Sequence, residues 1–247
     1  MKKIALSLVV LATLVTISCK KDEESAKSGK VNLSFDHKVG SEQLEFDTLK
    51  YTNAVGHDYE VTKLVYFLSN ITFNKSNGTA EVVKGPIYID AEDPTKLEYN
   101  GTIEIPVGTY SSIGVTFGID SNMNVTDTLT TVEEVAMAWP EPMGGGYHYM
   151  KLEGTYDSLG LGVIKNYKTH TGPTMGNPYY FDVTFDNSAF TINEDGLDLT
   201  ITMDVNEWYS NPTVYDFATY GPAIMGNMDA QMVLKGNGQS VLSVSVE

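Results

Sequence analysis

The 247-residue chain contains no arginine; its 16 basic residues are all lysines, set against 32 acids. The formal charge of -16 repels phosphate, and without a guanidinium fork nothing reads guanine, so no nucleic acid is expected as a partner. Phosphorylated substrates are disfavoured on the same ground. A single cysteine rules out a disulfide framework and a cysteine-based zinc site. No Gly-x-Ser-x-Gly, phosphate loop or His-Glu-x-x-His occurs. Carboxylates are plentiful, but no spacing singles out a pair, so a glycosidase-like hydrolase has no positive support. What the chain does have is aromatic content, 11% with 15 tyrosines, which argues against disorder. Its length also suits a sizeable core, since domains of roughly 150–300 residues bury about 70–75% of their unfolded surface.

The first residues read as an address. Met1-Lys2-Lys3 is a positive start, and residues 4–18 form an apolar stretch too short to span a bilayer comfortably. It ends in Thr16-Ile17-Ser18-Cys19, which resembles a bacterial lipobox with Thr16 in place of the usual leucine. Residues 1–18 are therefore expected to be a lipoprotein signal peptide and Cys19 the lipidated residue, its acyl chains holding the protein on a membrane. Residues 19–30, polar and without periodicity, read as a flexible tether. The acidic run after Cys19 points to an outer-membrane lipoprotein, on its periplasmic or cell-surface side.

From residue 31 to 247 the dominant period is two. Val31, Leu33 and Phe35 alternate with polar neighbours, as do Ile113, Val115, Phe117 and Ile119. Tyr179, Phe181, Val183 and Phe185 repeat the pattern, and Leu197 to Val205 does so again. Met232 to Leu234 and Val241 to Val246 read as closing strands. Asn77-Gly78, Asn100-Gly101, Gly85-Pro86 and Asn237-Gly238 supply turns. The expected fold is all-β: one antiparallel β-sandwich with long loops. Few stretches show a helical period; residues 131–138 read as a helical turn or two, capped by Thr131.

Four histidines are available. His37 continues the apolar face of Val31, Leu33 and Phe35 and is expected to point inward or at the sandwich rim. His148 shares the even-numbered face of Met150 and Leu152. His170, in Thr169-His170-Thr171-Gly172-Pro173, is expected at a sheet end, and His57 in an exposed turn. Neutral imidazoles with thioether neighbours suit a metal such as copper; Met137, Met143 and Met150 flank His148, and Met175 follows His170. Trp139 sits in Met137-Ala138-Trp139-Pro140-Glu141-Pro142-Met143 before three glycines, a shaped loop whose plain reading is a hydrophobic plug. Asp120, Asn122 and Asn124 begin like a calcium loop, although an EF-hand would need glycine and glutamate where Val125 and Thr131 stand. An Asx-stabilised turn is the simpler reading.

Several segments in order resemble the MbnP-like family, copper-binding proteins related to CorA. They are Tyr66-Phe67-Leu68-Ser69-Asn70-Ile71, Ile105-Pro106-Val107-Gly108-Thr109-Tyr110 and Gly118-Ile119-Asp120 with Asn124. The closest stretch is Met137-Ala138-Trp139 through Gly146-Tyr147 to Leu152-Glu153-Gly154, followed by His170-Thr171-Gly172. The resemblance implies a β-rich sandwich that binds copper through histidines and a tryptophan oxidised to kynurenine by a di-haem partner of the cytochrome c peroxidase type, MbnH. Carried over by motif, Trp139 is the residue for oxidation and His170 the best-matched ligand. His148 stands where relatives often carry lysine, and His37 has the right face with less motif support. Two departures stand out: Glu141 occupies the position of a frequent second tryptophan, and no cysteine pair is present.

The expected function is a non-enzymatic, membrane-anchored copper-binding protein for acquisition, storage or delivery. Its affinity should fall below roughly pH 6 as imidazoles protonate. The alternative is a surface lipoprotein that binds glycans or proteins through its tyrosines.

Overall fold

The computed structural model describes residues 27–186 and 189–247. The expected signal peptide at 1–18, the lipidated Cys19 and residues 20–26 of the tether lie outside the described residues. Among the described residues, no helix is long and apolar enough to cross a membrane.

Alternation decides which face each strand buries. In Ser28–Val39, Val31, Leu33, Phe35, His37 and Val39 are buried, while the residues between them are exposed or half-buried. This strand and Leu197–Asp204 centre the first sheet, with Leu242–Val246, Glu42–Gln43 and Ile103–Pro106 beside them. The second sheet runs Phe181–Phe185, Ser112–Phe117, Lys63–Asn74, Met150–Asp157, Asp58–Tyr59 and Tyr51–Thr52. Ala80–Asp90 also pairs with Lys63–Asn74, and Ile164–Thr171 with Met150–Asp157. The all-β sandwich expected from the pattern is what forms.

One pairing departs from an antiparallel scheme: Ser28–Val39 runs parallel to Leu197–Asp204. A parallel pair needs a long crossover. Here most of the second sheet supplies it, because it is built between the two strands.

The space between the sheets is filled by aromatic rings. Tyr167 stacks on Phe217 at 4.4 Å, and Phe117 meets Trp208 at 4.9 Å. Eleven of the 15 tyrosines are buried and the other four half-buried. The aromatic wealth read from the composition therefore goes mainly into the core.

Local chemistry explains the helical pieces. The turn at Val132–Val135 forms as expected, with Thr131 and Glu134 making a reciprocal capping box. Met232 to Leu234, expected as a strand, instead lies in the helix Met228–Asn237. Asn227 caps that helix, and Ala230, Gln231, Leu234 and Asn237 are buried at a helical spacing, which a three-residue apolar run cannot reveal. Asn237, expected in a turn, ends it. Its Nδ2 donates to the carbonyls of Trp208 and Thr213, both at 2.8 Å, and its Oδ1 accepts from the Thr213 amide at 3.0 Å.

His57 also departs from its expected place in an exposed turn. It is buried rather than exposed, because Asn53 Oδ1 accepts from the amides of Val55 and His57 and folds the turn inward. The ring then stacks on Tyr156 at 5.1 Å.

Replacing Asn237 with alanine leaves three backbone groups without their partner. The expected cost is about 2–4 kcal/mol, a drop of roughly 5–15 °C in thermal midpoint measured by circular dichroism. An unchanged midpoint would mean that water takes over these bonds.

Candidate metal centre

The loop before Met150–Asp157 folds back on itself as a tight hairpin. Ala138 bridges Tyr147, the Trp139 amide donates to the Gly146 carbonyl at 2.8 Å, and the His148 amide donates to the Met137 carbonyl at 2.7 Å. The glycines at its tip are required by close neighbours and positive φ. A Cβ at Gly144 would meet the Pro173 carbonyl at 2.3 Å, and one at Gly146 would meet Asn124 Oδ1 at 2.7 Å.

The calcium candidates serve this loop. Asp120 accepts from Asn70 Nδ2 and from the Asn122 amide, each at 2.8 Å, and Asn124 Oδ1 accepts from the Tyr147 amide at 2.8 Å. The oxygens of Asp120 and Asn124 are thus engaged by N–H donors, in an Asx turn and a loop clamp.

Trp139 is buried, its Nε1–H donating to the Met143 carbonyl at 3.2 Å. Its ring lies against Gly172, where any Cβ would come within 2.4 Å of the indole. It also meets the His148 ring edge to face at 4.7 Å. His148 in turn meets His170 at 5.2 Å, with ring planes 82° apart. Trp139, His148 and His170 are thus brought into one group.

The group sits on the outer face of the second sheet. His170 is the penultimate residue of Ile164–Thr171 and pairs in register with Lys151, whereas Met150 and Leu152 point to the core. His148 therefore does not share the face of Met150 and Leu152. The strand begins only at Met150, so alternation does not reach back to it. His37 stands apart on the inner face, its Nε2 3.0 Å from the hydroxyl of Tyr66, whose register partner is Met150.

Each imidazole of the pair has one nitrogen held by an oxygen. His148 Nδ1 lies 2.8 Å from the Met137 carbonyl, which can only accept, so Nδ1 carries the proton and Nε2 keeps its lone pair. That Nε2 is buried with no hydrogen-bond partner. His170 Nε2–H donates to Glu153 Oε1 at 2.8 Å, and Lys168 Nζ lies 3.7 Å from the other carboxylate oxygen. Gln231 Nε2 donates to the His170 carbonyl at 2.7 Å and fixes the strand end.

Burial pushes the His148 imidazole down to about 3, with the Lys151 charge adding to it. Burial also lowers His170, outweighing the attraction of Glu153. Burial alone would raise Glu153, but its contacts with His170 and Lys168 hold it below the usual carboxylate range. The result is two neutral imidazoles beside one ionised carboxylate. An orphaned, buried, unprotonated nitrogen next to a second tautomer-fixed imidazole fits a soft or borderline metal ion. Among the described residues, no group of three or more His, Cys, Asp and Glu is placed to hold a metal. A metal held here would need, beside these two rings, donors of another kind.

Glu153, the Met137 carbonyl and Gln231 were not legible as site residues. Only the antiparallel register, which sets Glu153 beside His170, could have found the first.

The protein is thus of the class of all-β sandwiches that carry an imidazole pair beneath a tryptophan loop on one outer face. The MbnP family model matches residues 28–226, and the chain belongs to that family. Its fold is similar to that of MbnP from Methylosinus trichosporium, with 12% identity over 76% of this chain and 80% of that one and a TM-score of 0.51. No curated protein matches.

Burial also predicts a pH dependence of stability. His37 is lowered to about 4 and His148 to about 3, chiefly by desolvation, from 6.5. The unfolded chain gains protons below pH 6.5 that the folded chain refuses, so stability is full above that pH and declines below it. Each ring should cost up to about 1.4 kcal/mol per pH unit down to its folded value. Denaturant midpoints at pH 7 and pH 5 check this; the decline should be shallower in His37→Gln and in His148→Gln. An equal decline in both variants would mean that the folded rings are charged.

Proposed function

We propose that this is a non-enzymatic, extracytoplasmic metal-binding protein, anchored at the outer membrane through Cys19, that takes copper at His148 and His170 for acquisition, storage or delivery. The observation that carries the reading is His148 Nε2: a lone pair kept in a buried position, with no hydrogen-bond partner, facing no competing proton. Met137 and Glu153 orient the two rings from behind, the arrangement that fixes tautomer and raises ligand basicity in metal sites. His37, hydrogen-bonded on the inner face, plays no part in the centre.

Copper bound here would supply a redox-active, thiophilic cargo. The protein's task is to hold it, dry and oriented, under the Trp139 loop. Trp139 is the proposed site of conversion to kynurenine by a di-haem partner of the MbnH type. Opening the indole would present an aniline nitrogen and a ketone beside His148, the additional donors that the imidazole pair lacks. No observation favours the glycan-binding alternative, because none of the tyrosines that motivated it is fully exposed.

Copper titration of the full chain against a competing chelator tests the centre. His148→Ala and His170→Ala should each weaken binding at least about tenfold, and Glu153→Gln by roughly 10- to 100-fold. His37→Gln should leave it unchanged. Because burial keeps both rings neutral, the affinity should persist below pH 6, where free imidazole would protonate. A double His148→Ala/His170→Ala variant with wild-type affinity would overturn the reading.

Peptide mass spectrometry of protein from native membranes tests the modification. Kynurenine at position 139 is the expected finding, and an intact indole in the copper-loaded protein would remove Trp139 from the donor set.

A further inference from the structure

Methionine normally fills gaps in cores. Three of this chain's methionines instead face solvent: Met175 is 60% exposed, Met228 49% and Met232 60%. They lie on two segments held side by side. Thr174 Oγ1 donates to the Met225 carbonyl at 2.8 Å, and Asn177 Nδ2 approaches Met228 Sδ at 3.7 Å. Met228 and Met232 are four residues apart on the helix Met228–Asn237, hence on one face. Met175 adopts a left-handed backbone with φ of 53°, an unfavourable conformation for a side chain of its kind, and projects outward from it.

This corner adjoins the imidazole pair. Gln231, between the two helical methionines, donates to the His170 carbonyl at 2.7 Å. Met143, whose carbonyl accepts from Trp139, has its methyl 3.6 Å from where a Gly226 Cβ would sit. Thioethers carry no charge, do not titrate and discriminate strongly for soft ions over hard ones. A chain of formal charge -16, with Asp229 in the helix's first turn, draws cations toward them.

We propose that Met175, Met228 and Met232 form a solvent-facing thioether site for a soft monovalent cation, cuprous or silver ion, beside the His148–His170 pair. As a binding site it stands on its own residues. Its role as the first stop for copper bound for His148 rests on the function proposed above.

The test is a silver-ion titration of the full chain, labelled at the methionine methyls and followed by NMR. Silver is used because it does not change oxidation state under these conditions. The methyls of Met175, Met228 and Met232 should shift together and saturate at one ion per chain, in the wild type and in His148→Ala/His170→Ala alike. Zinc should move none of them. The triple variant Met175→Leu/Met228→Leu/Met232→Leu should bind one silver ion fewer with an unchanged thermal midpoint, since all three side chains are exposed. Methyls that stay still, or shift one by one with the weak affinity of free methionine, would overturn the site. Silver binding without any copper at the imidazole pair would leave this site standing and sink the function proposed above; the converse result would do the opposite. Cuprous ion should reach the imidazoles at least tenfold more slowly in the triple variant, and an unchanged rate would overturn the role as first stop.

Discussion

Removing an imidazole from water while leaving one of its nitrogens unpaired is unfavourable, and the loop around His148 is organised to sustain that state. The Met137 carbonyl fixes the tautomer, and the rings of Trp139 and His170 both pack against the imidazole. The neighbouring structure follows from this. Gly172 has no side chain because the indole needs its place, and the glycines at 144 and 146 let the loop close against Pro173 and Asn124. Asn124 and Thr126 tie the loop's far end by accepting from the amides of Tyr147 and Gly146. Small residues and polar clamps together hold a hydrophobic cover over a polar, unprotonated atom.

The two sheets contribute differently. The inner faces provide rigidity: tyrosines and phenylalanines meet in T-shaped and stacked pairs, and His37 is absorbed there as a hydrogen-bonded core residue. The outer face of the second sheet provides chemistry, because Lys151, Glu153, Lys168 and His170 come to one surface through the pairing of two adjacent strands. Charged residues that look unremarkable along each strand become one electrostatic unit across the pair.

How far the sequence could be read depended on range. Period-two alternation marked most strands, because it is local and needs no partner, and the Thr131 cap was visible for the same reason. Trp139 and His170 were legible through motifs carried in a fixed order. His148 could be found as a candidate but not placed, since its face is set by a bend just before the strand begins. His57 was misread because its burial comes from Asn53 folding the turn inward and from Tyr156 arriving from a distant strand. Met232 to Leu234 was misread because its helical spacing extends over residues that a short apolar run does not include. Glu153 was invisible as a site residue until register placed it next to His170.

The parallel pairing of Ser28–Val39 has a mechanical consequence. The strand starts one residue after Lys27, the first described residue, and is flanked by Leu197–Asp204 on one side and by Ile103–Pro106 and Glu42–Gln43 on the other. A force transmitted from that end acts along the strand axis. Its hydrogen bonds to Leu197–Asp204, spread over the register from Val31 to Lys38, are then loaded together in shear, not peeled one at a time. The first described strand is thus also a central strand of its sheet, and tugging on it engages the interior of the fold before it can loosen an edge.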